Sequence, residues 1–214
     1  MRFMRVFLFA LASADTCAWA ADKVTAELLA AAETGDNGRV ESLLAAGAKV
    51  NAKGKGGMTP LLAATTNNHD STVKLLLVKG ALPDARGDRD STPLFIAARD
   101  GHDSVAVALL AGGADPNAID IDGWTPLLRA ARGNHASTVR LLLDHRANVD
   151  QTTTSNYTAL MSAARWGCAD VVPVLLAARA NLNITGKDGR TALAWAKESK
   201  IKVIIDALVN AGAK

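Results

Sequence analysis

Histidine is the side chain in this sequence best suited to metal ligation or proton transfer, and its placement argues against both. His69, His102 and His135 stand 33 residues apart, each just after a Gly or an Asn. Equivalent residues of adjacent stacked helices sit about 8 to 10 Å apart, so they cannot close on one ion at a bond length of roughly 2 Å. One period further on, Cys168 takes the place of histidine and reads as a small packing residue rather than a nucleophile. His145 stands alone near a helix end, where histidine commonly serves as a terminal residue. Asp120-Ile121-Asp122-Gly123 has alternating carboxylates but falls far short of a calcium loop, and reads as a hairpin turn. The sequence holds no Gly-rich phosphate loop, no His-Glu-x-x-His and no Gly-x-Ser-x-Gly. The expectation is a chain without catalytic residues, metal ligands or cofactor.

Recognition is the other chemistry on offer. Arg99, Arg132 and Arg165 share the 33-residue period, bounded by Glu33 and Thr66 on one side and Glu198 on the other. Arg129 thickens the row. Trp124, Tyr157 and Arg190 each immediately precede a periodic threonine, and Trp166 follows Arg165. Trp, Tyr and Arg combine large contact area with directed polar groups and are enriched at binding hot spots. Arg99, Trp124, Arg129, Arg132, Tyr157, Arg165, Trp166 and Arg190 therefore form the candidate partner-binding set. A second reading stays open: the arginines pair with nearby Asp and Glu and stack on the rings, forming a solvated face that slightly stabilises the array.

The elements that must carry these residues are set by repetition. Thr59, Thr92, Thr125, Thr158 and Thr191 lie 33 residues apart and open Thr-Pro-Leu or Thr-Ala-Leu segments. Leu-Leu pairs at 43–44, 76–77, 109–110, 142–143 and 175–176 keep the same register. A threonine hydroxyl caps free amides at a helix start, and a following proline sits at the first helical position, where its missing N–H costs nothing. Gly35, Asn68, Gly101, Asn134 and Gly167 are types that tolerate the left-handed conformation ending that helix. Asp70, Asp103 and Asp170, or Ser71, Ser104 and Ser137, are expected to cap a second helix bearing the Leu-Leu pair. Pro173 then falls in the first turn, where it is tolerated. Taking offsets +2, +5, +6 and +9 from the threonine as pointing inward leaves +4, +7 and +8 on the outer face. Arg129 is a +4 residue, and the three periodic arginines are +7 residues.

Units of this length with Thr-Pro-Leu, an Ala-Ala pair, Gly-His, Leu-Leu and Gly-Ala-Asp resemble ankyrin repeats, most fully from Ser91 to Asn117. The resemblance covers residues 22–214 and implies an all-α solenoid of about six stacked helix-turn-helix units with hairpin loops. It also implies partners bound along a concave face made of hairpin tips and first helices. The units fall at about 22–57, 58–90, 91–123, 124–156, 157–189 and 190–214. The histidine that the family places after Thr-Pro-Leu is replaced by Leu62, Phe95, Leu128, Met161 and Ala194, which substitutes apolar contact for a polar bridge. His69, His102 and His135 match the family's Gly-His position, a scaffold role. The polar Lys197, Glu198, Ser199, Lys200 and Lys202 suit a terminal cap.

The chain is 49% hydrophobic but 4% aromatic, so Ala and Leu must fill the core, which favours thin layers of closely spaced helices. Residues 1–20 read as a signal peptide, with Arg2 and Arg5, an apolar run from Val6 to Ser13, and Ala18-Trp19-Ala20 before the cut. Residues 21–214 are then the repeat domain. Losing Arg2, Arg5 and Asp15 takes Lys+Arg from 24 to 22, Asp+Glu from 21 to 20, and net charge from +3 to +2. That is no footprint for nucleic acid, and no later segment suits a membrane span. Cys168 is the only cysteine left, so packing alone must stabilise the chain. The resulting expectation is a monomeric, non-enzymatic interaction module, periplasmic or secreted, that grips a protein with an acidic or mixed-charge surface as inhibitor, immunity or accessory factor. The alternative is an intracellular scaffold with an uncleaved N-terminus.

Overall fold

The computed structural model describes residues 14–214, with side chains from residue 23 onward. Among these residues the chain forms helices in pairs and no strand. The first helices of successive units are α1 (Ala14–Thr34), α3 (Pro60–Thr66), α5 (Pro93–Asp100), α7 (Pro126–Arg132), α9 (Ala159–Trp166) and α11 (Ala192–Glu198). The second helices are α2 (Asn37–Ala45), α4 (Asp70–Val78), α6 (Asp103–Ala111), α8 (Ala136–Asp144), α10 (Val172–Ala177) and α12 (Lys202–Asn210). Each first helix packs on the next first helix and on its own partner, and the second helices form a parallel outer row, giving a two-layered solenoid. The first thirteen residues of the expected leader lie outside the described residues, while residues 14–20 are helical and continuous with the rest of α1.

The threonines do what their position demands. Each is extended, and its hydroxyl accepts from the backbone N–H three residues on, at 3.2 to 3.3 Å for Leu62, Phe95, Leu128, Met161 and Ala194. Pro60, Pro93 and Pro126 follow at the first helical position. The helices then end on left-handed residues, with φ of 58° at Asn68, 71° at Gly101, 59° at Asn134 and 75° at Gly167. Leucines at +2 and the Ala pairs are buried, as are Leu62, Phe95, Leu128 and Met161, so the apolar substitution for the family's histidine holds.

Two expectations are corrected. The second helices are not capped by the side chains of Asp70, Asp103 or Asp170. His69, His102 and His135 occupy the cap position without a side-chain bond, and α10 starts after Val171. Those polar side chains bond elsewhere, mostly to the neighbouring unit. Asp103 accepts from the Thr138 hydroxyl, Asp170 from the Asn134 amide at 2.8 Å, and Asp70 pairs with Lys74 in its own helix. Pro173 does fall in the first turn of its helix. The second correction concerns offset +4, expected on the outer face: Ala63, Ile96, Ser162 and Trp195 are all buried and Arg129 is half-buried. The hairpins fold back over this side of the first helices, so only +7 and +8 remain open.

Bonds of nearly constant sequence separation tie the units together. His69 Nε2 meets the Glu33 carbonyl at 2.9 Å and His135 Nε2 the Arg99 carbonyl at 3.1 Å. The Cys168 thiol and Ser199 hydroxyl donate to the carbonyls of Arg132 and Arg165 at 3.4 and 2.9 Å. His69 and His135 are thus scaffold, and His135, Cys168 and Ser199 hold the ends of the helices that carry Arg99, Arg132 and Arg165. On the far side Asn51, Asp84, Asn117 and Asp150 accept from the backbone N–H of Leu82, Asp115, Asn148 and Asn181 at 2.7 to 3.1 Å.

Candidate partner-binding site

Each hairpin is closed by a backbone bond to the residue that precedes the periodic threonine, as from Asp120 to Trp124 at 3.0 Å, Thr153 to Tyr157 at 3.0 Å and Gly186 to Arg190 at 2.9 Å. That closure fixes Trp124, Tyr157 and Arg190 at the junction of loop and first helix. Neighbouring loops are also joined edge to edge, by Ile121 N–H to Arg89 carbonyl at 3.3 Å, Thr154 to Asp122 at 3.0 Å and Lys187 to Ser155 at 3.1 Å. The loops therefore form one continuous rim facing the ends of the first helices, with a groove between.

Along that groove guanidiniums and rings alternate. Arg129 lies 4.7 Å from the Phe95 ring centroid and 4.4 Å from that of Trp124. Arg132 bridges Trp124 at 5.6 Å and Trp166 at 4.8 Å. Arg165 lies 5.7 Å from Trp166, 5.9 Å from Tyr157 and 4.3 Å from Trp195, and Arg190 covers Trp195 from 4.4 Å. Tyr157 and Trp195 meet with centroids 5.7 Å apart. A cation on an aromatic face contributes about 0.5–1 kcal/mol where exposed, so the ladder holds its side chains in place before any partner arrives.

Charge is distributed unevenly along it. Asp100 grips Arg99 with two bonds of 2.7 and 2.8 Å. That contact raises the guanidinium's pKa and draws the carboxyl below its ordinary range. Asp120 is buried and accepts from the N–H groups of Asp122 at 2.9 Å and Trp124 at 2.8 Å and from Arg129 at 3.2 Å. Burial lowers the pKa of the Arg129 guanidinium, against the raising effect of Asp120. Arg190 pairs with Glu198 at 3.4 Å. Arg132 and Arg165 differ: among the described residues no carboxylate lies within ion-pair distance of either. Arg165 instead donates to the Tyr157 hydroxyl at 3.2 Å, which in turn donates to Asp188 at 2.9 Å. Burial first, then this bond to Asp188, pushes the Tyr157 phenol up.

All eight residues singled out from the sequence line this groove or its ladder. Arg129 is the one whose setting differs from expectation, since it is enclosed rather than open. Phe95, Asp120 and Trp195 belong to the site and were not singled out. Two cavities open into the groove: one of about 320 Å³ includes Phe95, Arg99 and Arg129, and one of about 310 Å³ includes Trp124, Arg132, Tyr157, Arg165 and Trp166. Burial pushes the Cys168 thiol up, away from the reactive thiolate. Among the described residues no group of three or more His, Cys, Asp or Glu side chains could hold a metal ion, and no helix is long and apolar enough to cross a membrane.

The family model for ankyrin repeats (3 copies) matches residues 28–120 and 94–186. Among solved structures, an ankyrin repeat domain from Acinetobacter baumannii is similar at 31% identity and a TM-score of 0.81, over 87% of this chain and 98% of that one. No curated protein matches the chain.

Proposed function

The chain belongs to the ankyrin-repeat family, whose members are generally non-catalytic protein-binding modules, and from that premise we propose that it captures a protein partner in the groove between its loop rim and first helices. The observation that carries this reading is the ladder of alternating arginines and rings from Phe95 to Arg190. Rigid, ring-supported arginines lose little freedom on binding, which is the property of a hot spot. The partner presents an acidic or mixed-charge surface, because the guanidiniums at the centre of the row lack carboxylates of their own. The protein has no catalytic activity and acts as a monomer.

The leader read at residues 1–20 supports export to the periplasm, with a role as inhibitor, immunity or accessory factor. Mass spectrometry of the native protein tests this directly. A mature chain starting at Ala21 is expected, whereas a chain retaining Met1 would favour the intracellular scaffold.

Partner capture is tested by co-purification from the native cell with wild type and with Arg132→Ala/Trp166→Ala. Capture by wild type and its loss in the variant is the expected outcome. Undiminished capture by the variant would contradict the site. The variant also loses three stacking contacts, so its unfolding temperature should drop by a few degrees, the equivalent of roughly 1 kcal/mol.

A further inference from the structure

The two cavities of the groove differ in how their cations are satisfied. In the larger one Arg99, Arg129 and Arg89 are already paired, with Asp100, Asp120 and Asp122 respectively. In the other, Arg132 and Arg165 have no carboxylate, and Asp122 on its rim is engaged by Arg89. Both guanidiniums lean on one indole, 4.8 and 5.7 Å from the Trp166 centroid. Two like charges beside one ring repel each other, and the ring offsets this only in part.

Ser162 lines the cavity from the +4 position, which holds Arg129 in the preceding unit and Trp195 in the next. The Ser162 side chain is 1% exposed, lines the cavity, and has a hydroxyl oxygen with no hydrogen-bond partner. A buried hydroxyl without a partner is costly, and is resolved by an acceptor that enters the site.

Resting on the reading of the groove as the partner site, we propose that this cavity seats an acidic side chain from an extended segment of the partner. Its carboxylate lies against the Arg132 and Arg165 guanidiniums, whose planar forks match carboxylate oxygens. Its methylenes lie on Trp124 and Trp166, and Ser162 donates its hydroxyl proton. The indole walls favour a carboxylate on an aliphatic stem over a bare inorganic anion, which has nothing to lay against them.

The test titrates the full chain with acetylated, amidated hexaglutamate and hexaglutamine peptides, follows tryptophan fluorescence, and adds inorganic phosphate as competitor. Each variant is first checked for unchanged helical circular dichroism. Hexaglutamate should bind and hexaglutamine should not. Arg132→Met and Arg165→Met should each weaken binding about tenfold, as expected for one charge-assisted bond. Ser162→Ala should weaken it less, and Arg140→Met, on the outer helix row, should leave it unchanged. Failure of hexaglutamate to bind, binding by both methionine variants as tight as that of wild type, or displacement by equimolar phosphate would each overturn the proposal. Partner capture is scored separately. Capture that needs Trp166 but tolerates both methionine variants keeps the groove reading and rejects the carboxylate seat, whereas capture that tolerates every groove variant rejects both.

Discussion

Asp120 is the buried carboxylate on which one end of the groove depends. It accepts from two loop amides and from one guanidinium nitrogen of the half-buried Arg129. Removing it leaves donors and a cation without a partner, so Asp120→Ala should cost about 2–4 kcal/mol, read as a lower urea midpoint at unchanged slope. Asp100 makes a prediction in pH. Its pKa is depressed in the folded chain by the bond from Arg99, so its contribution to stability is present above the ordinary carboxylate range and is lost as pH falls through the depressed value. Unfolding temperatures followed downward from about pH 5 should therefore fall less steeply in Asp100→Asn than in wild type. The arginine row was legible in the sequence because it kept the threonine register. Phe95 and Trp195 were not, because offsets count positions along a helix and cannot show that a loop folds across its side. Asp120 is legible as a hairpin residue, but no local pattern signals that Arg129 reaches it from nine positions away.

At the scale of the helix, stop and start signals have different reliabilities. The threonine caps were legible because the bond spans three residues of the same chain segment. Thr125→Ala should cost about 1 kcal/mol in thermal or chemical unfolding. Caps of the second helices were misread because Asp103 and Asp170 are claimed by the adjacent unit, a competition that no local pattern reveals. Where Gly80 and Gly113 end a second helix with φ of 88° and 89°, the equivalent positions hold Arg146 and Arg179 at 66° and 61°. A left-handed non-glycine residue carries a steric cost. Arg146→Gly and Arg179→Gly should each raise stability by up to about 1 kcal/mol, seen as a higher urea midpoint, and neither touches the groove.

For the whole molecule, a unit too small to bury its own apolar side is covered by copies of itself, and the unbroken register made that architecture legible from end to end. What repetition could not show is how the units differ. Of the eight contacts that make the ladder, Arg129–Phe95, Arg132–Trp166 and Arg165–Trp195 cross between units and the other five lie within one, and the +4 position alone is Ala, Ile, Arg, Ser and Trp in successive units. On the proposed reading, function is carried by the departures from the repeat. The most direct measurement of that claim places a photo-crosslinking residue in the native cell at Trp166 in the groove or at Val107 on the outer face of α6. Crosslinking of one discrete protein from position 166, with none from position 107, is the predicted result. A partner joined from position 107 and not from 166 would contradict the account.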